Sequence, residues 1–399
     1  MRSTKKWVML YLLILAVGIA SYMAVCYKAN PLGYFTNLNG TPYFDNEDYA
    51  RKIKSTYLYE HRGEYEGVLV GGSKCGAVDP ALMTQLTGLS YYNMYMNVGN
   101  FTDYLRYCTF LVEKCEVREI TLMLSGFETK YQDQSDRGNV YQPPAILGGS
   151  RFAMLTEFLS YLMTDVHTTV DELKDPASDH IKTSDFLADG MRNRWSIVRS
   201  HKKNPEKATR STVLKNQKNQ LKKLFRQSAS KQTARPLCLD ALQRICTLCK
   251  EHDVNLRVIM GPSFLLDKAR YECDEYYDYF EDVVRICGSV WDFSDYNRFN
   301  MNPYNFYDRS HYSKELAAAM LHRVFGTPQA EGFEDFGKLL TKDNVHEAMK
   351  QRKTDFEKYL QEYRQTGEVA FYGLADDSYL PWADTWTSPG MEQYQNGEL

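Results

Sequence analysis

The stretch of sequence that decides the fold is Gly67-Val68-Leu69-Val70-Gly71-Gly72-Ser73-Lys74-Cys75-Gly76-Ala77-Val78-Asp79-Pro80. Its apolar residues 68–70 are typical of a short strand that is covered on both faces. Gly71 and Gly72 permit a tight turn and a close approach of the backbone. Asp79 fits the N-cap of a helix, and Pro80 fits its first position. The stretch therefore predicts a buried strand, a turn and the start of a helix.

Ser73 would lie in that turn, just beyond the carboxyl end of the strand. Open α/β sheets bind their ligands at this end of their strands, so Ser73 is a candidate nucleophile. A Gly-Gly-Ser sequence after a strand is more often a plain turn. A second motif, at residues 308–311, is what favours the catalytic interpretation.

Further apolar runs predict four more strands in the same fold. They lie at residues 91–96, 120–124, 255–260 and 289–293. Helical periodicity is found at residues 102–115, 237–252, 275–287 and 310–325. Strands and helices that alternate in this way predict an α/β fold with a doubly wound, mostly parallel sheet.

The chain has 399 residues, which is room for one large domain or two. We expect a cytoplasmic stub and a transmembrane anchor at residues 1–28, and a juxtamembrane lead-in at 29–65. The α/β domain is expected at residues 66–326, with a helical and basic insertion at about 128–236. Residues 327–399 are expected to form a helical and irregular C-terminal appendage that packs on the domain or trails from it.

The N-terminal segment predicts a membrane anchor. Residues 7–27 form a run of 21 residues without a formal charge, and a bilayer is crossed by about 20. Because Arg2, Lys5 and Lys6 precede this run, the N-terminus is expected in the cytoplasm and the main domain outside. A cleaved signal peptide is the alternative, but no clean small-x-small site follows Cys26. We therefore expect a single-pass protein of the cell membrane whose main domain is extracytoplasmic.

The composition points away from several classes of protein. The net charge is only −3, which does not suggest nucleic-acid binding. The sequence contains no zinc-finger spacing, Walker loop or GxGxxG motif. We therefore expect no metal ion, no cofactor and no nucleic-acid partner.

The nine cysteines leave the pairing of disulfides open. Cys26 lies in the apolar run, and the remaining eight would be exported, where disulfides are permitted. Cys246 and Cys249 have the spacing of a redox pair, but they lie in a helical pattern. Packing in the core is the better interpretation of this pair.

Residues 202–235 carry eleven Lys or Arg side chains against one acid, Glu206. Such a run is most often a solvated face or a flexible insert. The alternative is a patch that binds an anionic lipid or an anionic wall polymer.

Asp308 and His311 have the spacing of a catalytic acid and base. An Asp three residues before a His can hydrogen-bond to its Nδ1 from within one turn, which leaves Nε2 free to face a serine. Asp-x-x-His is common in surface turns. Together with Ser73 at the first strand end, however, the pair predicts a Ser-His-Asp triad.

These motifs resemble those of the SGNH (GDSL-like) hydrolase superfamily, and the similarity covers residues 66–325. Gly72-Ser73 stands at the nucleophile block of that family, with Gly-Gly-Ser in place of Gly-Asp-Ser. Gly99 stands at the second block, and Asp308 with His311 stands at the last. The resemblance implies a flavodoxin-like, three-layer fold.

The third block departs from the pattern of the family. The family usually has an Asn side chain there, and Leu124-Ser125-Gly126-Phe127 has none. The resemblance then implies an oxyanion hole built from the N–H of Ser73 or Lys74 and of Gly99, with Asn100 as a further donor. The loss of one donor can cost about a hundredfold in rate, so turnover, not fold, is in question.

Within the superfamily, the anchored and exported form looks most like proteins that acylate bacterial surface polymers. These include teichoic-acid D-alanylation proteins of the DltD type and alginate O-acetylation proteins. The resemblance implies acyl transfer through a serine to an anionic or neutral polysaccharide, beside a membrane-bound O-acyltransferase.

The sequence therefore predicts a membrane-anchored serine esterase or O-acyltransferase. A non-catalytic scaffold that binds a polysaccharide and a membrane enzyme is the second hypothesis, and the missing Asn favours it. A secreted lipase fits less well, because of the anchor and because no broad apolar stretch surrounds Ser73.

Overall fold

The computed structural model describes residues 2–31, 43–44, 50–126, 128–129, 148, 150–174, 186–187, 189–226 and 235–383. Its helices are α1 (Arg2–Ala29), α2 (Ala50–Glu60), α3 (Pro80–Thr87), α4 (Phe101–Lys114), α5 (Arg151–Tyr161), α6 (Val166–Lys174), α7 (Trp195–Lys203), α8 (Pro205–Ser211), α9 (Gln217–Leu224), α10 (Arg235–Glu251), α11 (Leu265–Lys268), α12 (Asp274–Cys287), α13 (Lys314–Phe325) and α14 (Val345–Thr366). Its strands are β1 (Tyr43–Phe44), β2 (Gly67–Gly71), β3 (Tyr91–Tyr95), β4 (Glu119–Leu124), β5 (Phe186–Leu187), β6 (Asn255–Met260), β7 (Ser289–Asp292) and β8 (Lys338–Thr341).

Six of the strands form one sheet, in the order β3-β2-β4-β6-β7-β8. The first five are parallel, and β8 pairs with β7 in the antiparallel direction. Numbered as the chain forms them, the parallel strands run 2-1-3-4-5, which is the order of flavodoxin-like sheets. The prediction of a mostly parallel α/β sheet is confirmed.

Helices cover both faces of this sheet. Val68 and Val70 of β2 belong to an apolar cluster with residues of α4, α10 and α12. Leu69 points to the other face and belongs to a cluster with residues of α3 and α13. Each cluster consists of fully or nearly fully buried side chains, so the strand between them is apolar throughout.

The turn after β2 needs glycine for space and not for a left-handed backbone. A Cβ atom on Gly71 would lie 2.5 Å from the carbonyl oxygen of Met123, so only glycine fits beside β4. Gly72 has φ −72° and is extended. The next helix begins as predicted: Pro80 is its first residue, and the Asp79 side chain accepts a hydrogen bond from the N–H of Ala81 at 2.9 Å.

The closing helix begins later than the predicted residue 310. Helix α13 starts at Lys314, because the Ser313 side chain caps it by accepting from the N–H of Leu316 at 3.2 Å. The five residues before the cap, 308–312, form a separate turn. This turn carries the two predicted triad residues Asp308 and His311.

The C-terminal region contributes to the domain itself. Strand β8 extends the sheet beyond residue 326, and α14 packs against α12 and β8. Arg352 of α14 is buried, and it forms an ion pair with Glu272 at 2.9 Å. Part of the predicted appendage is therefore a sixth strand and its covering helix, and residues 384–399 lie outside the described residues.

The lead-in and the insertion also pack onto the sheet. Lys54 of α2 is buried, and its ammonium donates to the carbonyl oxygens of Asn93 at 3.1 Å and of Gly190 at 2.7 Å. Strand β5 of the insertion pairs with β1, and the N–H of Asn93 donates to the carbonyl of Asp189. The insertion is helical, as predicted, with α5 to α9 in its described part.

The basic segment 202–235 is not a purely solvated face. Leu221 and Leu224 of α9 are buried, and Phe225 contacts the ring of Tyr363 in α14. Lys218 forms an ion pair with Glu368 at 3.0 Å. Its described part therefore packs on the C-terminal helix through one side.

Helix α1 is long and apolar enough to cross a membrane. Within its residues 4–29, the most apolar window of 18 residues has a mean hydropathy of 2.3, and none of that window is buried against the rest of the chain. A signal sequence near an N-terminus has the same properties. It is the one helix of this kind among the described residues.

All nine cysteines are free thiols. Cys249 is buried in the core, in line with the packing interpretation, whereas Cys246 faces another helix. Its Sγ atom lies 3.8 Å from the Sγ atom of Cys287 on α12.

Candidate active site

The turn that carries Ser73 begins directly after β2. Residues Ser73–Ala77 form a 3-10 helix, which is fixed by a hydrogen bond of 2.9 Å from the N–H of Cys75 to the carbonyl of Gly72. The four neighbours of Ser73 in this turn are buried, and Ser73 itself is partly exposed. The hydroxyl therefore stands at the open carboxyl end of the sheet, next to the point where the strand order reverses between β2 and β4.

The second half of the site is the turn that precedes α13. One carboxylate oxygen of Asp308 accepts from the backbone N–H of Ser310 at 2.8 Å and of His311 at 3.1 Å. Both oxygens lie within 2.9 Å of the His311 Nδ1 atom. The same carboxylate therefore shapes the turn and orients the imidazole ring.

The structure brings the three predicted triad residues together. The Nε2 atom of His311 lies 2.9 Å from the Oγ atom of Ser73, although the two residues are 238 positions apart. The chain Asp308–His311–Ser73 is therefore continuous, and each link has hydrogen-bond length. This is the arrangement by which a histidine removes the proton of a serine.

The electrostatics of the site suit a neutral histidine beside an ionised carboxylate. Burial alone would raise the pKa of Asp308, but the hydrogen bond and the charge of His311 hold it well below the ordinary value of 3.8. Burial lowers the pKa of His311 below 6.5, and Asp308 offsets part of that effect. His311 is then unprotonated at neutral pH, which is the form that acts as a base.

Two arginines of the insertion lie beside the triad, and sequence reasoning missed them. The N–H of Arg192 donates to the carbonyl of Gly76, within the Ser73 turn, at 2.9 Å. The guanidinium of Arg194 lies 5.8 Å from the ring centre of Tyr307. Both positive charges lower the pKa of His311 further. The two arginines reach the triad only through contacts between distant parts of the chain, so no local sequence pattern predicts their position.

A buried aspartate joins the two halves of the site. Asp267 of α11 forms an ion pair with Lys74 at 3.0 Å and accepts from the hydroxyl of Ser310 at 3.1 Å. Burial alone would raise its pKa, but Lys74 and Arg270 hold the pKa below the ordinary value of 3.8. Asp267 therefore fixes the serine turn and the histidine turn relative to each other. The Lys74 ammonium is thus bound in an ion pair, so only the backbone N–H of Lys74 is considered as an oxyanion donor.

The predicted oxyanion residues lie at neighbouring strand ends. The first N–H groups of a helical turn, here those of Ser73 and Lys74, have no carbonyl acceptor within that turn. Gly99 follows β3, and a Cβ atom there would lie 2.5 Å from the ring of Tyr104, so the loop tolerates only glycine. The preceding residue, Val98, has φ 52°, which is rare for a β-branched side chain.

The Asn100 side chain has a structural role in this loop. Its carbonyl oxygen accepts from the N–H of Asp103 at 3.0 Å and from the hydroxyl of Thr102 at 2.7 Å, so it caps α4. Its use as a side-chain oxyanion donor stays a prediction.

No family model matches this chain, and no curated protein matches it significantly. The resemblance to SGNH hydrolases therefore stays a prediction that depends on the residues and their geometry.

At the carboxyl end of β4, where the SGNH pattern has an Asn, the structure has a network of hydrogen bonds around Glu128. The buried carboxylate of Glu128 accepts from the N–H groups of Ser125 and Gly126 and from the hydroxyl of Tyr279. Those two N–H groups are therefore engaged within the chain. Burial raises the pKa of Glu128, which its hydrogen bonds partly offset.

Ser125 is a further candidate that the sequence did not reveal. Its hydroxyl is buried and has no hydrogen-bond partner in the part of the chain that the structure describes. It lies 3.6 Å from the point where a Cβ atom on Gly72 would stand, next to the nucleophile. Because this hydroxyl lies beside the Ser73 turn, Ser125 is a candidate donor to an oxyanion bound there.

Among the described residues, no group of three or more His, Cys, Asp or Glu side chains is placed to hold a metal ion. The side chains that the structure brings together at the strand ends are a hydroxyl, an imidazole and a carboxylate.

Proposed function

We propose that the protein is a membrane-anchored, extracytoplasmic serine esterase or O-acyltransferase that acts on a cell-surface polysaccharide or wall polymer. The observation that carries the proposal is the unbroken hydrogen-bond chain Asp308–His311–Ser73 at the carboxyl ends of the parallel strands. The apolar helix α1, with basic residues before it, supports the anchored form.

The first half of the reaction forms an acyl-enzyme. The Oγ atom of Ser73 attacks the carbonyl carbon of an ester while its proton passes to Nε2 of His311. Asp308 stabilises the imidazolium that results. The N–H groups of Ser73 or Lys74 and of Gly99 would bind the oxyanion of the tetrahedral intermediate. The intermediate collapses when the leaving alkoxide takes the proton from His311.

The second half transfers the acyl group to an acceptor. A water molecule or a sugar hydroxyl gives its proton to His311 and attacks the acyl carbon, and Ser73 then recovers a proton as it leaves. Hydrolysis and transfer use the same residues, so the acceptor that reaches the acyl-enzyme decides between them.

The arginines support a charged polymer as substrate. Arg192 and Arg194 place two positive charges close enough to affect His311. Such charges attract the phosphate or carboxylate groups of a polymer, whereas a neutral triglyceride offers them no charge to bind. They favour a wall polymer over the substrate of a simple lipase. A membrane-bound O-acyltransferase as partner rests on the family resemblance alone.

The second candidate is a non-catalytic scaffold with the same fold. It is favoured by the third strand end, where Glu128 occupies the N–H groups of Ser125 and Gly126. In that case the site would bind a polymer without turnover.

Labelling with a serine-directed phosphonate tests the proposal. We expect one covalent adduct, on the peptide that contains Ser73, because His311 activates only this hydroxyl. Ser73→Ala should remove the adduct, and Ser200→Ala, which changes an exposed serine of α7, should keep it. Absence of an adduct on the folded wild-type chain would favour the scaffold.

A further inference from the structure

Two consecutive helices of the insertion expose an apolar face that the proposed chemistry does not use. Phe158 of α5 and Met163 between the helices are exposed as well. The face itself is formed by Phe152, Leu155 and Leu159 on α5 and by Val166, Val170 and Leu173 on α6. In each helix they are three, four or seven residues apart, so they lie on one side. Phe152 is 73% exposed and Val166 is 63% exposed, which is unusual for a folded domain in water.

The two helices that carry this apolar face lie against the end of helix α1. The hydroxyl of Tyr22 donates to the carbonyl of Thr164, between α5 and α6, at 2.6 Å. The Sγ atom of Cys26 lies 3.6 Å from the hydroxyl oxygen of Thr169 in α6, and both side chains are buried there. The last two turns of α1 are therefore in contact with the α5–α6 pair, residues 151–174.

The contact lies at a defined depth of the expected membrane span. At 1.5 Å per residue, residues 7–27 of α1 cover about 30 Å, which is the hydrocarbon core of a bilayer. Tyr22 and Cys26 then lie within about 8 Å of its outer end. A helix that binds in the plane of a membrane buries its apolar side to about 5–10 Å, which is the same level.

We infer that the α5–α6 pair lies in the outer interface of the lipid bilayer, with its apolar side among the acyl chains beside α1. The same lipid that surrounds α1 would cover this side, so no other partner is required. The inference rests on α1 crossing the membrane, which is part of the proposed function, and it does not depend on the catalytic role of Ser73.

The opposite side of the pair is tied to the active-site domain. Glu157 of α5 forms an ion pair with Lys52 of α2 at 3.0 Å, and the Lys52 ammonium lies 5.0 Å from the ring centre of Tyr161. Two residues further along α2, Lys54 holds the carbonyl of Gly190, shortly before Arg192. Binding of the pair to the bilayer would therefore fix the orientation of the Ser73 site above the membrane.

Photolabelling from inside the bilayer tests the inference. The full chain is placed in vesicles of phosphatidylcholine that contain a trace of the same lipid with a diazirine in its acyl chain, and adducts are mapped by mass spectrometry. We expect adducts on peptides of α1 and of residues 151–174. Leu237 and Leu339, which are also exposed apolar residues, should receive none because they lie on other elements.

Variants make the assignment specific. Leu155→Gln combined with Val170→Gln should lower the labelling of residues 151–174 at least about tenfold and leave that of α1 unchanged, because each buried aliphatic side chain contributes such a factor. Leu237→Gln with Leu339→Gln is the matched control and should change neither.

Two results would overturn the inference. Labelling of α1 without residues 151–174 would show that lipid does not cover the pair, and would leave the face to a membrane protein partner. Labelling of neither segment would show that α1 itself does not insert, while the phosphonate reaction at Ser73 could still succeed.

Discussion

At the carboxyl ends of the parallel strands, the side chains of the triad and of Asp267 find their partners within the chain. On the outer side of α5 and α6, by contrast, large apolar side chains stay exposed in the part of the chain that the structure describes. Asp308 accepts hydrogen bonds from three groups of its own turn, and Asp267 binds both halves of the site. The α5–α6 pair keeps its polar side on the domain and leaves the other side open.

The difference shows how the two regions depend on their surroundings. The site is positioned by internal contacts, so its geometry should persist in any solvent that keeps the fold. The outer side of the pair is stable only where another apolar phase covers it. Changes at the site should therefore affect chemistry and not membrane contact, and changes on the pair should do the reverse.

The largest effect is expected from the nucleophile and its base. Ser73→Ala and His311→Ala should each lower kcat for a soluble model ester by about a millionfold, and the double variant should be little worse, because the two residues act as one unit. Steady-state kinetics on the purified full chain measures this. Leu155→Gln is the control from the other region and should keep its rate. Additive losses in the double variant would contradict the triad.

The next effect is expected from the residue that orients the base. Asp308→Asn should lower kcat by about ten-thousandfold, since the amide no longer favours the productive tautomer of His311. It should also weaken the turn, because Asp308 binds two backbone N–H groups there. Thermal unfolding distinguishes the two effects. A rate close to that of the wild type would show that His311 does not need this partner.

A smaller effect is expected at the neighbouring strand ends. Ser125→Ala should lower kcat by up to about a hundredfold if its hydroxyl donates to the oxyanion. Asn100→Ala should instead lower the free energy of unfolding by about 1 kcal/mol through loss of the helix cap, with little change in kcat. Measuring rate and urea unfolding for both variants tests the assignment. A large loss of rate in Asn100→Ala with unchanged stability would restore it as an oxyanion donor.

The smallest effect concerns pH. The pKa of His311 lies below 6.5, so kcat/KM should fall only at more acidic pH, where the base becomes protonated. Arg194→Gln removes a positive charge that lowers this pKa, so the acidic limb of the profile should move to higher pH. Arg199→Gln, an exposed residue of α7, is the control. If the acidic limb of the pH profile does not move in Arg194→Gln, the charge of Arg194 does not act on His311.

Local patterns sufficed for much of the fold. The sequence predicts a strand over residues 255–260, which is β6, and a helix over 102–115, which is α4 within one residue at each end. Apolar runs and helical periods are properties of neighbouring residues, so a sequence displays them. Asp308 and His311 were found for the same reason, since their spacing lies within one turn.

The remaining features depend on contacts that spacing does not encode. Asp267 is 193 residues from Lys74, and Arg192 reaches the site only because the insertion folds back on Gly76. The helical period predicts a start at residue 310 for α13, but the hydrogen bonds of Asp308 and the cap of Ser313 outweigh that period before residue 314. The exposed apolar side of the α5–α6 pair could be interpreted as a membrane contact only from the structure, which places α1 beside the pair.

The measurement that decides whether this site turns over is the capture of its acyl-enzyme. The full chain is mixed with an activated acetyl ester, quenched in acid within the first turnover, and digested for mass spectrometry. We predict one acetyl group on the Ser73 peptide, at close to one per chain, and none in His311→Ala. An acetyl group on other residues alone, or equal labelling in His311→Ala, would contradict a Ser-His-Asp mechanism.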